Sequence, residues 1–167
     1  MNTEAQPATL RPFVREAGPG NSFWYLGQLM SALAEGDDTG GRLTVYEIVF
    51  PPDSGPPLHA HEREDEAFYV LEGGLSVRVG DEEWECPVGS FAFQPRGIPH
   101  TFKTSSEGAR ALLLVIPSGF EGYFRALGRP AEAMTLPPPG GPPSAEQVAQ
   151  MEATLAEYGC TFVREEG

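Results

Sequence analysis

The 167-residue chain sets 11 lysines and arginines against 24 aspartates and glutamates, a formal net charge of −13. A surface this acidic repels phosphate backbones and anionic headgroups, and no apolar run reaches the length of a membrane span, so neither nucleic-acid nor membrane partners are expected. The length suits one domain with one core, while 20 glycines and 17 prolines point to short strands joined by many turns rather than to a helical bundle.

Residues 1–21 show little periodicity and contain Gly18-Pro19-Gly20, the pattern of an arm. No signal-like stretch follows Met1. Cys86 and Cys160 stand far apart, so they read as free thiols of a reducing cytoplasm, without CxxC redox spacing. An apolar run from Phe23 to Leu33 meets a turn cluster at residues 35–41, and residues 43–50 form a strand ended by Pro51-Pro52. Those two runs predict a hairpin. Further strands are expected at 67–71, 75–79, 82–86, 91–93 and 110–116, with Gly73-Gly74 and Gly80-Asp81 as tight turns of a meander. Residues 67–71 and 111–116 are apolar on both faces, which predicts burial on both sides.

After Pro117 the period changes to that of a helix. Ser118-x-x-Glu121 has capping-box form, and Phe120, Tyr123, Phe124 and Leu127 recur as a packing stripe closed by Gly128. A Pro/Gly linker at 137–143 leads to a second capping box, Ser144-x-x-Gln147. Val148, Met151, Leu155 and Tyr158 form the next stripe, and Gly159 stops it. The expected layout is an arm at 1–21, a β domain at 22–117 and a helical tail at 118–167 that packs on it.

All three histidines fall in one pattern, His59-Ala60-His61 and then His100. Side chains at i and i+2 of a strand share a face, with Cα atoms about 6.6 Å apart. Two imidazoles so placed can converge on one ion at about 2.0–2.1 Å. A nearby carboxylate completes the set. Glu62, Glu64, Asp65 and Glu66 crowd together here, and most are expected in solvent; Glu66 is favoured because it shares parity with the apolar Phe68 and Val70. Three nitrogens and one oxygen suit one divalent transition metal (Fe, Mn, Ni, Co, Cu or Zn) and leave positions open for substrate.

The stretch His59-Ala-His61-Glu-Arg-Glu-Asp-Glu66, followed by Ala-Phe-Tyr-Val-Leu-Glu-Gly73, resembles the first motif of the cupin superfamily, HxH-x4-E-x6-G. Gly89-Ser-Phe-Ala-Phe-Gln-Pro95-Arg-Gly97-Ile-Pro-His100 resembles the second, G-x5-PxG-x2-H. Two departures stand out. Only three residues separate Gly55 from His59, where the family usually has five, and Thr104 stands where the family usually has Asn. The run from Phe23 to Pro137 is similar to bacterial single-domain cupins grouped with quercetin 2,3-dioxygenase. The resemblance implies an all-β double-stranded β-helix, or jelly-roll barrel, with a small C-terminal helical segment. It also implies that His59, His61, Glu66 and His100 are the metal ligands, and that the protein is a homodimer.

By the same likeness the protein is a metal-dependent dioxygenase that joins O2 to a small flavonol or phenolic substrate. Glu66 is then also the catalytic base that takes the proton of an acidic hydroxyl. Phe50, Phe68, Phe93 and Phe102 are the candidate pocket walls, although each also suits an ordinary core. Three other readings stay open: redox-neutral isomerase, cyclase or lyase chemistry, a non-catalytic module that binds a metal or small molecule, and a fold with no metal.

Overall fold

The computed structural model describes residues 10–164; the arm expected at 1–21 therefore lies partly outside the described residues. In chain order the elements are β1 (Ser22–Tyr25), β2 (Gln28–Ala34), α1 (Gly36–Thr39), β3 (Thr44–Phe50), β4 (His59–His61), β5 (Asp65–Val79), β6 (Glu82–Pro87), β7 (Phe91–Gln94), β8 (His100–Ile116), α2 (Glu121–Leu127), β9 (Arg129–Pro130), α3 (Ala145–Glu157) and β10 (Cys160–Phe162). Each pairing between them is antiparallel.

Two long strands organise the jelly roll. β5 and β8 run antiparallel from Asp65 opposite Ile116 to Val79 opposite His100, so each belongs to both halves of the sheet. At one end, β3, β2, β1 and β9 extend from β8, and β7 pairs with β5. At the other, β8 carries β4 and then β10, and β6 pairs with β5. The register slips near Glu72 and Gly73, where the sheet turns the corner. Gly73 has φ +68, and a Cβ there would lie 2.1 Å from the Gly108 carbonyl oxygen. Gly73-Gly74 is thus a corner inside one strand, not the turn between two strands that the sequence suggests. Gly80-Asp81 does separate β5 from β6.

The inward face is alternation made solid. In β3, Thr44, Tyr46, Ile48 and Phe50 are buried while Val45, Glu47 and Val49 point outward. They meet Leu113, Ala111 and Ala109 of β8 across the ladder, with Met30, Val70, Leu75 and Val77 closing the core. The expected hairpin is present as β2 paired with β3, and the Phe23–Leu33 run is itself a hairpin of β1 and β2. Burial of 67–71 and 111–116 is one-sided at two points, because Tyr69 and Ile116 are exposed.

Tyr123 and Phe124 of α2 meet Tyr25, and Phe124 also meets Tyr46, in edge-to-face contacts, with Phe120 packed against both α2 rings. The capping box expected at Ser118 does not form. Phe120 is the N-cap, and the Glu121 carboxylate instead accepts from the Gly36 and Gly119 N–H groups and the Thr44 hydroxyl, tying α2 to α1 and β3. The Ser144 box is present in both halves at α3, where Leu155 is the buried residue and Val148 lies at the exposed edge of the stripe. Among the described residues no helix is long and apolar enough to cross a membrane.

Candidate metal centre

Two loops deliver the histidines. Thr104 donates to the Pro51 carbonyl and accepts from the Ser54 N–H, so it pins the loop after β3 against β8. Gly55 passes so close that a Cβ would lie 1.9 Å from the Phe102 oxygen. Both positions flagged as departures from the family pattern therefore serve the path into β4. The second loop is held by Gly97 N–H donating to the His61 oxygen at 2.7 Å and by the Arg96–Asp65 ion pair. His59 then stands opposite His100 in the ladder.

The i, i+2 rule holds: His59 and His61 are buried on one face and Ala60 turns away. Glu66 comes inward from β5 with Phe68 and Val70. Ligand atoms of His59, His61, Glu66 and His100 all lie within 4.8 Å of one another. Glu66 Oε2 is 3.1 Å from His100 Nε2, and Oε1 is 3.4 Å from His61 Nε2. His59 and His100 each place Nδ1 at 2.9 Å from a backbone carbonyl two residues earlier, Pro57 and Ile98, which directs Nε2 toward the cluster. The edge of the Phe120 ring meets His61, with 4.4 Å between ring centroids.

Charge is arranged around the carboxylate. Burial alone would raise Glu66, but the imidazoles, His61 foremost, outweigh it and hold the carboxyl down at about 2. Burial pushes His59 down to about 4, leaving a neutral imidazole. Burial acts on His61 in the same direction, yet Glu66, Cys160 and Glu64 raise it to about 10. Three imidazoles aimed at one buried carboxylate are a donor set that fits a divalent transition metal, which His59, His61, Glu66 and His100 would hold.

His59, His61 and Glu66 of the cluster line a cavity of about 180 Å³. Phe50, Phe68 and Phe102 form mutually edge-on walls, with centroids 5.0 to 6.2 Å apart. Phe93 is a correction: in β7 Ala92 and Gln94 take the inward parity, so Phe93 points out and is 52% exposed. Residues outside those four phenylalanines also reach the site. Tyr25 and Tyr123 share a hydroxyl–hydroxyl bond of 2.7 Å on the cavity wall, and burial raises both phenols far from ionisation. Met151, Leu155, Cys160 and Phe162 of the C-terminal segment close the same cavity. Glu64, one of four crowded acids of which most were expected in solvent, is 4% exposed, and its Oε2 stands 3.5 Å from His61 Nδ1. Its parity with Glu66 was the available signal. Gln94 is fully buried across the ladder from Glu66, and its carboxamide has no hydrogen-bond partner among the described residues.

Comparison with known proteins agrees with this architecture. Residues 46–117 match the cupin domain family. The chain is 29% identical over 126 residues to quercetin 2,3-dioxygenase of Bacillus subtilis, covering 75% of this chain but 37% of that protein. KdgF from Halomonas sp. superposes with TM-score 0.54 at 19% identity, over 60% of this chain and 89% of that one. An RmlC-like cupin from Shewanella frigidimarina gives 0.55 at 20% identity, over 64% and 93%. The antiparallel jelly roll, the three histidines and one glutamate brought to one buried point, and these likenesses agree: residues 46–117 are a cupin domain, and the fold is that of the cupins.

Proposed function

We propose that the protein is a metal-dependent dioxygenase that acts on a small phenolic molecule at His59, His61, Glu66 and His100. The observation that carries this reading is the convergence of the four donors, three of which, His59, His61 and Glu66, stand on the wall of a mostly apolar, aromatic-lined cavity. Similarity to a quercetin 2,3-dioxygenase supports the reaction class. When bound, the metal would supply open coordination positions and would acidify a substrate hydroxyl.

The protein's own groups do the rest. The carbonyls of Pro57 and Ile98 fix two imidazole rings. Phe50, Phe68 and Phe102 exclude water and offer ring faces and edges to a planar substrate. Glu66, ionised and buried, is the base that takes the substrate's hydroxyl proton. Dioxygenation places both atoms of O2 in the product, so no external reductant is needed.

In this reading residues 22–117 form the barrel and 118–167 its tail, within a cytoplasmic homodimer. The two free buried thiols and the outward Tyr69, Phe91 and Phe93 are consistent with that setting. The test is oxygen uptake by protein loaded separately with Fe, Mn, Co, Ni, Cu and Zn in the presence of a phenolic substrate. Uptake that vanishes with Glu66→Gln supports the proposal. No uptake with any of these metals, together with turnover of substrate by the zinc form, would replace it with redox-neutral chemistry.

A further inference from the structure

We infer that the cavity selects single-ring ligands, of the size of a phenol or catechol, and rejects three-ring flavonols. The inference rests on the phenolic reading above and sharpens its substrate class. The cavity of about 180 Å³ only modestly exceeds the ~150 Å³ that suffices for benzene, and falls short of the ~300–1,000 Å³ of common ligand pockets. Its size is set from outside the family-matched segment 46–117. β10 is paired to β4, Cys160 opposite His61 and Phe162 opposite His59, so the C-terminal strand is fixed to the strand that carries the ligands. α3 then lays Met151 and Leu155 over the cavity. Two polar groups on the cavity wall suit a small oxygenated ring. The cluster can receive one oxygen, and the Tyr25–Tyr123 pair uses one of its two hydroxyl protons internally, which leaves the other to donate to a ligand.

The experiment titrates the cobalt(II)-loaded full chain with catechol and with quercetin under anaerobic conditions, following the visible absorption of the metal. Catechol is expected to shift the spectrum and bind at least tenfold more tightly than quercetin. Met151→Ala is expected to narrow that ratio by admitting quercetin. Quercetin binding the wild type as tightly as catechol would overturn this inference alone. Silence toward both ligands would overturn it together with the phenolic reading. An unchanged ratio in Met151→Ala and Leu155→Ala would overturn α3 as the size limit.

Independently of the cavity, the geometry points to Glu64 as a positioning residue for His61. His59 and His100 use backbone carbonyls to hold Nδ1, whereas His61 Nδ1 has Glu64 Oε2 at 3.5 Å and no hydrogen-bond partner. Glu64 Oε2 is likewise buried without a hydrogen-bond partner among the described residues. Two orphaned complementary groups facing each other form the carboxylate–histidine couple that fixes a ring and makes it a stronger donor to a metal.

Cobalt(II) affinity, measured by competition with a chelator, is expected to fall about 10–100-fold in Glu64→Ala. Glu64→Gln, the same shape with an oxygen acceptor but no charge, is expected to fall in between and to shift the cobalt spectrum. Wild-type affinity in Glu64→Ala would overturn the assignment. So would equal losses in both variants with an unchanged cobalt spectrum, the mark of a purely structural role.

Discussion

Cys160 Sγ lies 3.8 Å from Nε2 of His61, the nitrogen that faces Glu66. The contact follows from strand pairing: residues opposite each other in a ladder share a face, and Cys160 of β10 is opposite His61 of β4. The face that carries the histidine cluster is therefore completed by a strand 99 residues further along the chain. α3 anchors that strand through Leu155, which is 5% exposed.

Leu155→Ala is accordingly predicted to cost about 2–5 kcal/mol in urea unfolding, the loss of a buried leucine plus the void it leaves. Val148→Ala, on the exposed edge of the same helix, is predicted to cost under about 0.5 kcal/mol. Similar costs for the two would mean that α3 does not pack as described.

Parity makes a second contrast. Phe68 is 2% exposed and contacts Phe50 and Phe102, so Phe68→Ala is predicted to destabilise by about 3–5 kcal/mol. Phe93, one residue away from the inward parity of β7, is predicted to tolerate alanine at under about 1 kcal/mol. Thermal unfolding of the two variants side by side checks the register of β7 against β5.

These contrasts also show what the residues disclosed in advance. His59, His61, Glu66 and His100 were legible because strand parity is local and the two motifs are compact. Phe50, Phe68 and Phe102 lie in the cavity as their positions near the motifs suggested; Phe93 was misread because a four-residue strand gives parity no room to declare itself. Gly73-Gly74 looks like a turn from its neighbours alone. Only the long-range partner Gly108 makes it a corner. Glu64 shares parity with Glu66, a signal outweighed by the crowding of four acids, whereas Cys160 depended on packing that no local pattern encodes, a three-residue strand that pairs across most of the chain.

Glu121 gives a pH signature. Burial pushes its carboxyl up, but bonds from the backbone N–H groups of Gly119 and Gly36 and from the Thr44 hydroxyl outweigh it, and the folded value lies below the ordinary 4.5. The stabilisation is thus complete above pH 4.5 and is lost as pH falls through the lower folded value. Glu121→Gln is predicted to cost about 1–3 kcal/mol at pH 7. Its melting temperature and that of the wild type should converge toward pH 3. A gap that persists at pH 3 would show that the charge is not what stabilises the α2–α1 junction.

The metal content of the untagged chain tests the central claim most directly. After reconstitution with cobalt(II) and dialysis, elemental analysis is predicted to find about one ion per wild-type chain, and close to none in His61→Ala or Glu66→Ala, as expected when four converging donors hold a single ion. A wild-type chain that retains no metal, or variants that retain as much as the wild type, would contradict the account.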